Sequence, residues 1–157
     1  MKYEEAFPVA LKILKQLAPV CDRIEIAGSI RRQKPECKDV EIVCTPKPYQ
    51  TGLFADGFAE VVNQWVKVKG EPGPNLRYTQ RIEPTTGIKI DIFIANRDNW
   101  GLIMVYRTGS ANFNQEWLKL AKSRGYRMAE GKMFYGRNEV MIPEERDLFS
   151  RIGMAYP

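Results

Sequence analysis

The sequence predicts an α+β fold of two lobes, a larger one built on a mixed β-sheet and a small α/β lobe at the C-terminus. Stretches with helical spacing of apolar residues occur between short stretches that alternate or are uniformly apolar, so helices and strands are interspersed. The 157 residues, 44% of them hydrophobic, suffice for one core or for one core with a small second lobe. We place the boundary after Tyr106, which gives domains of residues 1–106 and 107–157.

The larger lobe is predicted to begin with a helix and to continue mainly as strands. Apolar residues recur at helical spacing over residues 3–17, and Pro8 lies early enough to be tolerated. Alternation of polar and apolar residues predicts strands at 23–27 and 39–44. A second helix marked by Phe54, Phe58, Val61, Val62 and Trp65 is expected next, followed by strands at 66–69, 76–82 and 88–94.

The C-terminal lobe is predicted to hold two helices and three short strands. A helix over 113–124 is closed by Gly125, because glycine is common just after a helix C-terminus. The last helix is expected to start near Pro143, since proline and acidic residues suit a helix N-terminus. The strands are expected at 126–128, 133–135 and 139–142.

The composition excludes several kinds of chemistry. The chain has no histidine, so serine–histidine and cysteine–histidine catalysis are excluded and a zinc site is not expected. No apolar run approaches the ~20 residues that span a bilayer, and no signal-peptide pattern is present. We therefore expect an intracellular, soluble protein without a membrane partner. The net charge of +5 is compatible with a polyanionic partner, although many mildly basic proteins have none.

A Gly-Ser turn followed by two arginines comes directly after the strand predicted at 23–27. Gly28 permits close backbone approach, and Ser29 together with backbone N–H groups can face an anion. Arg31 and Arg32 follow, and the planar guanidinium suits phosphate oxygens. By itself, such a segment is more often an ordinary turn.

Three carboxylates lie on two predicted strands. Asp39 and Glu41 are two residues apart on one strand and therefore point to the same face. Their mutual repulsion is relieved by a hard divalent cation such as Mg²⁺, although a solvent-facing acidic edge is the alternative. Asp91 lies within an isoleucine-rich strand, where a carboxylate is costly unless it binds metal or pairs, for instance with Lys89. Together with the Gly-Ser turn, the trio predicts phosphoryl transfer with two metal ions.

Four segments in combination resemble the family X DNA polymerases, the DNA polymerase beta group. They are Gly28-Ser29-Ile30-Arg31-Arg32, Asp39-Val40-Glu41, Asp91 and residues 106–114. The similarity runs from about Ile24 to the C-terminus. Within the family the chain resembles the minimal viral members, because one predicted helix precedes the palm. The resemblance implies a nucleotidyltransferase palm, and we expect no counterpart of the lyase domain of the larger enzymes.

The resemblance implies a template-directed, metal-dependent DNA polymerase that adds nucleotides to a primer 3′-hydroxyl, in the repair of short gaps. Its implied partners are primer–template or gapped DNA and deoxynucleoside triphosphates, and we expect a monomer of the cytoplasm or nucleus, or of viral origin. Two Mg²⁺ ions are the implied cofactors, and Mn²⁺ can substitute. Asp39 and Glu41 are implied to bind both ions, and Asp91 to bind the catalytic ion and help activate the 3′-hydroxyl.

Seven further residues are implied to contact the nucleotide. These are Gly28 and Ser29 at the triphosphate, Arg32 at its distal phosphates, Tyr106, Gly109 and Ser110 at the sugar and base, and Asn114 at the base edge. The chain departs from the family pattern at four positions. Glu41 replaces an aspartate, Arg107 an aromatic residue, Ala111 a longer side chain, and Leu118 the arginine of DNA polymerase beta. The last three bear on sugar selectivity and fidelity more than on catalysis.

Two other classes of function remain open. One is a nucleotidyltransferase that modifies an RNA end, a protein or a small molecule, against which the Thr-Gly-Ser segment at 108–110 counts. The other is a non-catalytic nucleic-acid-binding module, against which the presence of all three carboxylates counts. Extension of a primer by several nucleotides would exclude the first class, and failure to bind Mg²⁺ would favour the second.

Overall fold

A computed structural model describes residues 1–48, 57–73 and 75–157 of the chain. These residues form two compact units, Met1–Ile94 and Ala95–Pro157. The second unit begins earlier than the predicted boundary after Tyr106, because the helix that contains Tyr106 packs against the C-terminal helix. Phe54 of the predicted second helix lies outside the described residues. No helix within the described ranges is long and apolar enough to cross a membrane.

A five-stranded mixed sheet organises the first unit, and it confirms the predicted α+β class. The strand order is β1-β2-β5-β4-β3. Only β2 and β5 are parallel among the neighbouring strands of this sheet, as far as the described residues show. The strands are β1 (Cys21–Ile26), β2 (Asp39–Pro46), β3 (Val66–Lys69), β4 (Tyr78–Ile82) and β5 (Lys89–Ile94).

The core of the first unit covers one face of this sheet. Ile42 on β2 and Ile90 on β5 are fully buried, and they pack in one cluster with residues of the first helix such as Ile13. Because side chains alternate along a strand, the acidic residues of β2 and β5 project from the opposite face. The helices of this unit are α1 (Tyr3–Leu17), α2 (Gly28–Arg31) and α3 (Gly57–Val62), with a 3₁₀ turn at Ala18–Val20.

A buried polar network joins β3 to β4. Arg81 is 2% exposed, and its guanidinium donates hydrogen bonds to Thr79 Oγ1, Asn63 Oδ1 and the carbonyl oxygen of Gly70. Thr79 in turn donates to the carbonyl oxygens of Lys69 and Gly70. The network therefore gives the buried guanidinium of Arg81 neutral hydrogen-bond acceptors, and it holds the end of β3 in place.

The second unit combines three helices with a three-stranded antiparallel sheet of order β6-β7-β8. Trp117 and Leu148 are fully buried in its core. The predicted strands and both predicted helices are present, with ends that differ by a few residues. The elements are α4 (Trp100–Thr108), α5 (Ala111–Ser123), β6 (Tyr126–Ala129), β7 (Lys132–Tyr135), β8 (Asn138–Val140) and α6 (Glu145–Ile152).

Helix α4 was not predicted from the sequence. Six consecutive residues from Trp100 to Val105 are buried, so the helix is apolar all round and shows no 3.6-residue periodicity. Gly101 lies so close to the backbone of Glu144 that a β-carbon would overlap it. The backbone N–H of Gly101 also donates to the carbonyl oxygen of Ile142 at 2.9 Å. Glycine at position 101 therefore allows α4 to pack closely against the backbone at Ile142 and Glu144. This close packing does not depend on an amphipathic pattern in the sequence.

Candidate active site

The three predicted metal ligands lie on one face of the sheet in the first unit. In the parallel pair of β2 and β5, Glu41 is the Cα partner of Asp91, and Asp39 is the partner of Lys89. Directly paired residues of neighbouring strands project to the same side. The predicted juxtaposition of the carboxylates is therefore present, although their roles as ligands stay predictions.

Asp91 is the most buried of the three carboxylates, with 8% of its surface exposed. Its Oδ1 accepts a hydrogen bond from Tyr78 Oη and a second one, at 2.8 Å, from Gln80 Nε2. Both donors lie on β4, the antiparallel neighbour of β5. These bonds satisfy a polar group that would otherwise be costly to bury.

The pKa of Asp39 is shifted by its surroundings on the acidic face of the sheet. Burial raises the pKa of its carboxyl group above the ordinary value, and the negative charge of Asp91 raises that pKa further. Lys89 and Lys38 act in the opposite direction and do not cancel the effect. The ionised form of Asp39 is therefore disfavoured by its surroundings, first by burial and then by the neighbouring charge of Asp91.

The Gly-Ser turn packs directly against Glu41. The N–H of Ala27 donates to the backbone carbonyl of Glu41 at 2.8 Å, and a β-carbon on Gly28 would overlap the Glu41 carboxylate. Gly28 also has φ of 65°, a left-handed conformation that favours glycine. Next to it, the buried Oγ of Ser29 has no hydrogen-bond partner among the described residues. Arg32 is half-buried, and its N–H donates to the Gly28 carbonyl at 3.1 Å.

The donor set fits a hard divalent cation, because it consists of three carboxylates on one face, two of which repel each other. In residues 1–48, 57–73 and 75–157, however, no three acidic or cysteine side chains are arranged closely enough to hold a metal ion. Gathering the three carboxylates around one ion thus requires rotation of the Asp39 and Glu41 side chains, because two hydrogen bonds to Oδ1 hold the Asp91 carboxylate in place.

The remaining predicted contact residues lie in the second unit, where α4 ends and α5 begins. Ser110 caps α5, because its Oγ accepts a hydrogen bond from the N–H of Phe113 at 3.3 Å. Gly109 has φ of 62°, and its peptide bond to Ser110 is cis. The two residues thus set the corner between the helices, and their contacts with sugar and base stay predictions.

Both polar atoms of the Asn114 side-chain amide make hydrogen bonds. Its Nδ2 donates to the carbonyl oxygen of Tyr106 at 2.7 Å, and its Oδ1 accepts from Trp117 Nε1 at 2.9 Å. The Tyr106 ring meets Trp117 edge-on, and the Arg107 guanidinium lies 5.0 Å from the Tyr106 ring centroid. These bonds use one of the two N–H donors of the Asn114 amide, so it can still donate to a ligand.

Sequence reasoning missed Tyr78 and Gln80. They stand at alternate positions of β4, and only the pairing of β4 with β5 places both beside Asp91. The signal in the sequence is the turn at 83–87, which is short enough for a hairpin. Pairing β4 antiparallel to β5 across this turn would have identified Gln80 as the neighbour of Asp91.

Three comparisons with known proteins bear on this arrangement. Residues 103–157 match the family described as DNA polymerase beta thumb. The DNA polymerase lambda of Rattus norvegicus is 26% identical over 161 residues, covering 82% of this chain and 26% of that protein. A crystal structure of Leishmania infantum polymerase beta, described as a ternary P/T complex, superimposes with a TM-score of 0.74 at 21% identity and covers 100% of this chain and 74% of that one.

The structural likeness shows that this chain has the polymerase beta fold. The thumb match and the curated relative agree with this fold, and together the comparisons show that the chain is similar to family X DNA polymerases. It spans about a quarter of the length of the curated relative.

Proposed function

We propose that this protein is a metal-dependent, template-directed DNA polymerase that adds nucleotides to a primer 3′-hydroxyl. The observation that carries the proposal is the shared face of Asp39, Glu41 and Asp91, with the Gly28 turn packed against Glu41. The likeness of the chain to family X polymerases supports the same reaction. Its substrates are deoxynucleoside triphosphates and primer–template or gapped DNA, and its role is the filling of short gaps.

The proposed site holds two Mg²⁺ ions, or Mn²⁺ in their place, through Asp39, Glu41 and Asp91. Bound there, the ions would stabilise negative charge on the phosphates and favour deprotonation of the 3′-hydroxyl. Asp39 and Asp91 supply negative charge in close proximity, since the charge of Asp91 is, after burial, the second cause that raises the pKa of Asp39. The family pattern has an aspartate where Glu41 stands, so this ligand reaches one methylene further from the backbone.

The triphosphate is bound by the turn at Gly28, Ser29 and Arg32. Gly28 leaves the space beside the Glu41 carboxylate free of a β-carbon. The buried hydroxyl of Ser29 would gain a partner in a phosphate oxygen, since a buried polar group without one is costly. Arg32 supplies a planar guanidinium for the distal phosphates.

The sugar and base are bound by residues of the second unit, namely Tyr106, Gly109, Ser110 and Asn114. The Asn114 amide is oriented by its bonds to Tyr106 and Trp117, and its second N–H is the donor offered to the base edge. Because both ends of the amide are engaged, it would meet the base with little further loss of side-chain entropy. We propose that the enzyme acts as a monomer inside the cell.

The test is extension of a labelled primer on gapped, nicked and single-stranded DNA, with each nucleotide offered alone. Removing a residue that only hydrogen-bonds to a metal ligand costs up to ~100-fold in activity. Because Asp91 is itself a proposed ligand, Asp91→Asn should reduce the rate of nucleotide transfer by more than that. Asp22→Asn, an equivalent change at an exposed acid on β1, should leave transfer unchanged. A folded Asp91→Asn protein with near-normal activity would refute the site. Transfer of a single nucleotide to a non-DNA acceptor, without primer extension, would favour a different nucleotidyltransferase.

A further inference from the structure

Two side chains of β4 converge on a single oxygen of Asp91. The phenol of Tyr78 and the amide of Gln80 both donate to Asp91 Oδ1, and neither bond uses Oδ2. The terminal torsion of an aspartate is soft, so an unrestrained carboxylate rotates freely. Two donors on one oxygen from the neighbouring strand remove that freedom.

Both donors are themselves held in place. Gln80 is the direct Cα partner of Asp91 in the antiparallel ladder, and Tyr78 is the partner of Phe93. The rings of Tyr78 and Phe93 stack with centroids 5.0 Å apart and planes inclined by 18°. On the ring of Tyr78, Lys69 Nζ lies 5.2 Å from the centroid. The phenol therefore cannot leave Asp91 without breaking these contacts.

The chemistry of the donors differs from that of an ordinary ion pair. A lysine or arginine in the same place would neutralise Asp91 and compete with a bound cation for its charge. A phenol and an amide are uncharged at neutral pH, so they orient the carboxylate and leave its negative charge in place. Hydrogen-bonded partners of metal ligands act in this way in many metalloproteins.

We propose that Tyr78 and Gln80 are positioning residues that fix Asp91 through Oδ1 and direct Oδ2 toward the metal ion and the primer 3′-hydroxyl. This assignment rests on the proposed polymerase function. Neither residue touches the substrate, and both act through Asp91. Their loss lowers the rate of transfer and the affinity for the ion more than the affinity for the nucleotide.

The variants that test this are Tyr78→Phe and Gln80→Met, singly and together. Tyr78→Phe keeps the stacked ring and removes only the hydroxyl, and Gln80→Met keeps the length of the side chain without its donor. Tyr3→Phe is the matched control, because Tyr3 also stacks on a phenylalanine, Phe7, at 5.5 Å, and lies on α1. Thermal unfolding of each full-length variant checks that the fold is retained.

Steady-state extension of a gapped primer gives kcat and the KM for the nucleotide, and Mn²⁺ titration followed by electron paramagnetic resonance measures ion binding without turnover. Each single variant should lose about 10-fold in kcat and in Mn²⁺ affinity, and the double variant up to about 100-fold. The KM for the nucleotide should change less than about twofold, since the partners of a metal ligand act on that ligand rather than on the substrate. Tyr3→Phe should match the unaltered protein.

Two results would overturn the assignment, and they are distinguishable. If the unaltered protein extends primers while Tyr78→Phe and Gln80→Met keep its kcat and Mn²⁺ affinity, the positioning role is refuted and the proposed function stands. If the unaltered protein neither extends primers nor binds Mn²⁺, the proposed function is refuted, and the positioning role with it.

Discussion

At the scale of single residues, Gly28 has a left-handed backbone conformation, and the Glu41 side chain occupies the space that a β-carbon would need. Gly28→Ala should lose roughly 1–2 kcal/mol of unfolding free energy, because a β-carbon is disfavoured at this φ. The new methyl would also displace the Glu41 carboxylate, so primer extension should fall by about 10-fold or more. Urea unfolding and extension kinetics measure the two effects separately.

Gly136 provides the matched control for that change. It has φ of 62°, and a β-carbon there would meet nothing within 4 Å among the described residues. Gly136→Ala should therefore lose a similar unfolding free energy to backbone strain and keep its activity. Equal losses of activity in the two variants would show that backbone strain, rather than displacement of Glu41, accounts for the effect at Gly28.

Arg107 occupies the position next to Tyr106 where the family pattern has an aromatic residue. Its guanidinium lies over the Tyr106 ring, so a charged and flexible group stands where a rigid ring would screen the sugar. A guanidinium can also donate to a 2′-hydroxyl, which a ring edge cannot do. Arg107→Phe should raise the ratio of kcat/KM for a deoxyribonucleotide over its ribonucleotide by roughly tenfold. An unchanged ratio would assign sugar choice to the backbone carbonyl of Tyr106.

At the scale of elements, the turn between β4 and β5 fixes the register that brings Gln80 beside Asp91. Glu83 anchors this turn by accepting hydrogen bonds from Thr85 N at 3.2 Å and from Thr86 N and Oγ1 at 2.7 Å. Burial alone would raise the pKa of Glu83, but the bonds from Thr86 and Thr85 outweigh it and lower that pKa.

The lowered pKa of Glu83 makes the turn sensitive to acid. Its contribution to stability is fully present above the ordinary pKa of about 4.5 and is lost as the pH falls through the lowered value. Glu83→Gln should therefore be less stable than the unaltered protein at neutral pH, and the difference should shrink in acid. Urea unfolding across this range measures it, with Glu60→Gln, an exposed carboxylate on α3, as the control. A difference that is constant with pH would contradict the role of the charge.

The elements also show what the sequence could predict. Helix α1 and strand β3 have their predicted bounds, because an amphipathic helix and a short run between turn residues leave local patterns. Helix α4 leaves no such pattern, because burial on all sides removes the periodicity. The carboxylate face was predictable from alternation on β2 and β5, whereas the donors to Asp91 depend on a strand pairing that no local pattern records.

At the scale of the whole molecule, the excess of 24 basic over 19 acidic residues favours a polyanionic partner without saying where it binds. Helix α5 offers a more specific place. Asn114, Leu118 and Lys122 recur at intervals of four residues and so lie along one side of the helix. If Asn114 meets the incoming base, Lys122 lies two turns further along the same side, where a DNA phosphate would be within its reach.

This placement leads to a prediction about salt. The logarithm of the DNA-binding constant should fall linearly with the logarithm of the salt concentration between roughly 50 and 200 mM. Each lost phosphate contact should reduce the steepness of that line by about 0.9. Lys122→Gln should show that reduction. Lys12→Gln on α1 lowers the net charge by the same amount, and it should leave the slope unchanged if the contact is local. Fluorescence anisotropy with gapped DNA at several salt concentrations measures both variants. Equal reductions in the two would mean that the overall charge attracts DNA and that Lys122 makes no phosphate contact of its own.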